Sequence, residues 1–165
     1  MKKADFIMIA TIILVLIVDQ VTKQFIVRTM DLGDSVTVIK DFFYISSHRN
    51  TGGAWGILTG QMVVFYLITF IAFILFYFLI KETDFKNKKI YSVAVTLLIA
   101  GAIGNFIDRV LFQEVVDFLD FYIFGYDFPI FNVADMCLVV GMFMFGYDIL
   151  MEDILSDGNK NRSSK

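Results

Sequence analysis

The stretch Met62–Ile80, MVVFYLITFIAFILFYFLI, contains no charged residue. At about 1.5 Å of rise per residue, a helix of that length covers a hydrocarbon core of about 30 Å. Three further apolar runs lie around it, so the predicted spans are about 6–27, 61–80, 90–111 and 130–150. The chain has 165 residues, of which 58% are hydrophobic and 19% charged, and its mean hydropathy is +0.71. Soluble domains average about 45–50% apolar and about 25% charged. Here the apolar residues are gathered into long blocks rather than spaced along one helix face, which decides the class. The fold expected is a membrane all-α bundle of four transmembrane helices.

Between the first two spans, residues 31–60 read as a small module outside the membrane. SVTVIKDFFYI (residues 35–45) mixes alternating and aromatic β-formers, and NTGG (residues 50–53) follows as a turn signal. A short antiparallel sheet is expected there, with Trp55 near the lipid headgroups. Ala100, Gly101 and Gly104 in the third span invite close approach of a neighbouring helix. Residues 1–155 form one membrane domain, and the polar tail 156–165, SDGNKNRSSK, is expected to be disordered and cytoplasmic.

Basic residues give the orientation. Lys2 and Lys3, the four lysines of KETDFKNKK (residues 81–89), and Lys160, Arg162 and Lys165 fall on one side if the spans alternate. The positive-inside rule places that side, and both termini, in the cytoplasm. Asp19, Lys23, Asn105, Asp108 and Arg109 then lie in the outer halves of the first and third helices. Asn132 and Asp135 lie in the outer half of the fourth, Asp135 roughly 6–8 Å below its start by the helical rise. Asn50 and Asp117 ride on the two outward loops. Ionisable groups at membrane depth are costly, and by default they mark a functional site. Polar groups from three helices at one level predict a single wet cleft near the outer face.

The chemistry open to that cleft is limited. There is one histidine, His48, which reads as a surface residue, and one cysteine, Cys137, which reads as a packing residue. No HExxH or GxSxG occurs, so zinc-peptidase and serine-hydrolase signatures are missing. A net charge of -3 and the lack of a basic patch with aromatic interleaving argue against a nucleic-acid partner. Carboxylates are abundant. Two that share a site cannot both ionise cheaply, so one keeps a proton while the other serves as base toward water. Such a pair needs no metal or cofactor. Asp135 is favoured by lying within a span one helical turn from Asn132. Asp117 is favoured only weakly over Asp120, and Asp108 reads as an ion-pair partner for the adjacent Arg109. Asp19 and Lys23, four apart, can neutralise each other. A carrier would set its polar groups near mid-depth in two similar halves, and a scaffold would not explain their common level.

DQVTK (residues 19–23), HRNTGGAWG (48–56), GNFIDR (104–109), VVDF (115–118) and FNVAD (131–135), in this order on four apolar spans, resemble the lipoprotein signal peptidases, the signal peptidase II family. The resemblance covers nearly all of the chain except the tail. It implies an aspartic endopeptidase of the bacterial plasma membrane that cuts prolipoproteins on the amino side of a diacylglyceryl-modified cysteine. It also implies a β-cradle with a flap over the cleft; membrane lipid is an expected partner, and a monomer is the expected state. The family's catalytic aspartates fall on Asp117 and Asp135. Its supporting positions fall on Asp19, Lys23, Asn50, Asn105, Asp108, Arg109 and Asn132. Gly53, Met136 and Cys137 depart from the usual pattern, with alanine common at the first and serine after FNVAD.

Overall fold

The computed structural model describes residues 3–163. Its helices are α1 (Lys3–Thr29), α2 (Met62–Lys81), α3 (Lys89–Phe112) and α4 (Val133–Ser163). Four segments within them, Asp5–Thr29, Met62–Lys81, Lys89–Phe112 and Val133–Ile154, are long and apolar enough to cross a membrane. Lys2 and Lys165, which enter the charge count for orientation, lie outside the described residues, as does Ser164.

α3 is the central helix. Within the segments just named, 56% of the α3 window is buried, against 6%, 6% and 11% for α1, α2 and α4. The reason lies in its small residues, since helices in lipid associate by close packing rather than by hydrophobic burial. A Cβ on Gly101 would stand 2.5 Å from the carbonyl oxygen of Ala134, and one on Gly104 would stand 2.8 Å from Asp19 Oδ2. α4 answers with Gly141, where a Cβ would come within 3.0 Å of Leu98 Cγ. Toward the other end, Tyr91, Val95 and Ile99 pack with Ile12, Phe76, Leu79 and Phe145, which ties all four helices together.

Outside the bundle lies a four-stranded antiparallel sheet in the order β1 (Ser35–Ile39), β2 (Phe43–Asn50), β3 (Val115–Ile123), β4 (Tyr126–Asp127). This enlarges the expected module. Residues 31–60 supply only two strands, and the other two come from the segment read as the outward loop carrying Asp117. The sequence VVDFLDFYI does not alternate cleanly, because Asp117 and Asp120 are three apart and both are buried. Ladder pairing, not pattern, makes it a strand. Ile26, Val116 and Phe118 form a buried cluster that docks the sheet on the end of α1. Because β2 and β3 pair, the two long connections lie at the same end of the bundle, as alternating spans require.

Two boundaries differ from expectation. The fourth helix begins at Val133 rather than 130, because Phe131 bridges to Leu119 and its carbonyl accepts from the N–H groups of Phe118 and Leu119. Asp135 is therefore the third helical residue, about 3 Å in by the helical rise rather than 6–8 Å. At the other end the backbone stays helical to Ser163, through most of the tail expected to be disordered. That segment holds no proline, and Gly158 alone costs a helix only about 1 kcal/mol.

Candidate functional site

FNVAD forms a reciprocal cap. Asn132 precedes α4, and its Oδ1 accepts from the N–H of Asp135 at 2.9 Å, while Asp135 Oδ2 accepts from the N–H of Asn132 at 3.2 Å. This is the capping-box arrangement, with an asparagine and an aspartate in the usual Ser/Thr and Glu/Gln places. A further orphan donor, the N–H of Ala134, is taken at 2.9 Å by Asp19 Oδ1 from α1. A carboxylate at a helix N-terminus is stabilised by the partial positive charge there.

The cap leaves the Asn132 amide nitrogen free to reach outward. Asn132 Nδ2 donates to Asp117 Oδ1 at 2.7 Å and to Asn105 Oδ1 at 3.1 Å. Asn105 Nδ2 donates to Asp135 Oδ1 at 2.7 Å. Asn50, the last residue of β2, donates from Nδ2 to Asp117 Oδ2 at 2.9 Å and accepts on Oδ1 from the N–H of Gly52. Asp117 and Asp135, one from a strand and one from a helix, are thus joined through the amides of Asn132 and Asn105, while Asn50 holds Asp117 alone. Both line one cavity of about 540 Å³, with Arg109, Asn50 and Asn105. A larger hollow of about 780 Å³ runs along α1 from Ile13 to Thr29 and holds none of these carboxylates.

Asp117 is 1% exposed. Burial, and next the charge of Asp135, push its carboxyl up to about 7 from an ordinary 3.8, against the opposing pull of Asn50 and Asn132. Desolvation and a like-charged neighbour both favour the neutral form.

Beneath the carboxylates sits a buried ion cluster. Lys23 Nζ lies 2.9 Å from Asp19 Oδ2, 3.1 Å from Asp108 Oδ2 and 3.1 Å from Asn105 Oδ1. An ammonium has three donors, so all three are used. The expectation that Asp19 and Lys23 simply neutralise each other is therefore incomplete, since Asp108 is a full partner. The expected Asp108–Arg109 pair does not form. Adjacent helical residues point about 100° apart. Asp108 instead also accepts from Gln20 Nε2 at 2.9 Å and from the N–H of Val116, which anchors β3. Arg109 lies over the Phe65 ring at 4.5 Å and reaches the carbonyl of Gly52 at 3.5 Å, while its Nε is buried without a hydrogen-bond partner among the described residues. It thus leans on the segment after β2.

Three residues were missed from sequence. Gln20 stands inside DQVTK between two noted residues, and that position was its only signal. Tyr66 and Phe65 bring α2 to the site, the former by donating to the Arg109 carbonyl at 2.8 Å. Nothing in an uninterrupted apolar run marks either one. Among the described residues, no three His, Cys, Asp or Glu side chains are grouped to hold a metal ion.

The family model for signal peptidase (SPase) II matches residues 11–151 of this chain. The chain belongs to the signal peptidase II family. It is 56% identical over 145 residues to the lipoprotein signal peptidase of Staphylococcus haemolyticus (strain JCSC1435), covering 86% of this chain and 90% of that one. It is 53% identical over 147 residues to that of Staphylococcus carnosus (strain TM300), covering 87% and 91%. A solved bacterial membrane enzyme at 2.3 Å resolution, 51% identical, superposes with a TM-score of 0.81 over 88% of each chain. A second, at 1.9 Å, is 52% identical with a TM-score of 0.77 over 87% of this chain and 92% of that one. As a signal peptidase II family member the chain is a peptidase, and its four apolar helices make it a multi-pass membrane protein.

Proposed function

We propose that this peptidase is an aspartic endopeptidase that removes the signal peptide of bacterial prolipoproteins on the amino side of a diacylglyceryl-modified cysteine. Asp117 and Asp135 form the catalytic pair. The observation that carries the reading is their convergence on one cavity from separate elements, joined by the amides of Asn132 and Asn105. With Asp117 raised to about 7, the pair enters neutral pH sharing one proton. The ionised partner accepts a proton from water as the oxygen attacks the scissile carbonyl. The protonated partner donates to the carbonyl oxygen, and collapse of the tetrahedral centre returns a proton to the leaving nitrogen. Arg109, held by the Phe65 ring and the Gly52 carbonyl, keeps a positive charge on the wall of the same cavity. Phe131, Met136, Leu138 and Val139 give the cavity an apolar side suited to the lipid-linked and signal-peptide portions of a substrate arriving through the bilayer.

The sheet and the cavity then face the outer surface of the plasma membrane, both termini lie in the cytoplasm, and the enzyme works as a monomer without a metal or cofactor. Cleavage of a diacylglyceryl prolipoprotein by purified wild type, Asp117→Asn and Asp135→Asn tests the reading. Activity is expected only in the wild type, with all three proteins folded in detergent. Normal processing by either variant removes that residue from the catalytic pair. Equal cleavage of a substrate lacking the diacylglyceryl group would falsify the assigned substrate class.

A further inference from the structure

A second cavity, of about 500 Å³, adjoins the first across the segment that follows β2. The two share Asn50, Gly53, Trp55, Phe128, Pro129 and Ile130 as walls. Their linings differ in character. The second is bordered by His48, Arg49, Asp120, Tyr122 and Asp127, all on the sheet rather than in the bundle. Trp55 closes the partition by donating from Nε1 to the Tyr126 hydroxyl at 3.0 Å.

Asp120 makes this cavity more than a surface hollow. It is 8% exposed, its Oδ2 accepts from the Ser46 hydroxyl, and its Oδ1 is buried with no hydrogen-bond partner among the described residues. A buried carboxylate oxygen left unpaired is costly, and such an orphan calls for a donor. Asp127 adds a second carboxylate at the wall. Arg49 is already engaged with Glu114, its Nε 3.6 Å from Oε1. The chemistry on offer is therefore acceptor-rich, suited to N–H donors.

We propose that this second cavity binds the polypeptide on the carboxyl side of the cleaved bond, as an extended segment whose N–H groups meet the Asp120 and Asp127 carboxylates at its wall. This rests on the peptidase reading above and extends it. A substrate bond held between Asp117 and Asp135 has its apolar, lipid-linked part in the first cavity. The chain leaving the membrane passes Asn50, which touches Asp117 and borders both cavities, and enters the polar one.

The test compares two diacylglyceryl substrates with the full-length enzyme in lipid nanodiscs. One ends a single residue after the modified cysteine, and the other continues for about six residues. The expected result is a KM several-fold lower for the longer substrate with wild type, and a ratio near one with Asp120→Asn. Equal KM values in wild type, or an unchanged ratio in Asp120→Asn, overturn the subsite while leaving the peptidase reading intact. Cleavage of neither substrate by wild type overturns that reading and the subsite together. If Asp120→Asn does not fold, Asp127→Asn, at an exposed wall position, carries the same expected collapse of the ratio.

Discussion

Lys23 Nζ donates to Asn105 Oδ1 over 3.1 Å, and together with the Asn132 amide on the same oxygen it decides which way the Asn105 amide faces. With its oxygen held by an ammonium, the amide must present Nδ2 to Asp135, which it does at 2.7 Å. A charge buried in α1 thereby orients a donor on a carboxylate of α4, through α3.

Lys23→Met should accordingly cost stability first. It leaves the Asp19 and Asp108 carboxylates, both 1% exposed or less, without their counter-ion. Breaking a buried pair from one side costs about 3–5 kcal/mol. Denaturation midpoints in detergent should drop accordingly, and Lys23→Met with Asp108→Asn should recover part of the loss. An unchanged midpoint with depressed turnover would instead give Lys23 a role in the reaction itself.

Asn132→Ser separates capping from orientation. A serine hydroxyl still caps α4, and swaps among good caps change stability by well under about 1 kcal/mol. Both bonds from Nδ2 are lost, to Asp117 and to Asn105. Turnover is expected to fall at least about tenfold, since misplacing a reacting group by about 1 Å can cost about a hundredfold. The unpaired, buried Asp117 Oδ1 should cost about 1–3 kcal/mol of stability. Near-normal turnover would contradict this.

Asp117 gives a pH dependence with a definite sign. Its folded value of about 7 lies above the ordinary 3.8, so between those limits the folded state binds the extra proton. Stability from this group is full below about pH 4 and is lost as pH rises through about 7. Wild type should therefore lose stability over that window more steeply than Asp117→Asn. Cleavage should decline as pH rises past about 7, when the pair gives up its shared proton. Parallel stability profiles for the two proteins would refute the burial argument.

Glycine substitutions should split by position. Gly101→Ala drives a methyl against the Ala134 carbonyl at 2.5 Å and should destabilise by about 1–3 kcal/mol. Gly53→Ala meets only ordinary contacts, at 3.6 Å from the Ile57 carbonyl and 3.8 Å from Phe65, and Gly53 does not have a left-handed φ. Alanine there should be tolerated, with a gain of up to about 1 kcal/mol from a less flexible unfolded chain. Thermal unfolding of the two variants gives the comparison.

The sequence made some of this legible and hid the rest for physical reasons. Four spans could be read because a bilayer demands length and apolarity, and both can be counted. The meeting of Asp19, Lys23, Asn105, Asn132 and Asp135 at one level followed from alternation alone. β3 stayed hidden because its partner is β2, which ends 65 residues earlier in the chain, and nothing local announces a ladder of that range. The pairing of Asp108 with Lys23 rather than Arg109 depends on which face of α3 meets α1, and spacing within one helix cannot supply that. The contribution of α2 through Tyr66 was equally silent, since an aromatic ring in an apolar span looks the same whether it faces lipid or a neighbour.

The clasp between Asp19 and the N–H of Ala134 spans 115 residues of chain. During translation the first of these partners emerges long before the second. Asn132 and Asp135 can take up their positions only once the last segment has come to rest beside the first. A nascent or truncated product therefore lacks the assembled carboxylate pair, and whatever hydrolytic capacity the finished molecule has is withheld until biogenesis is complete.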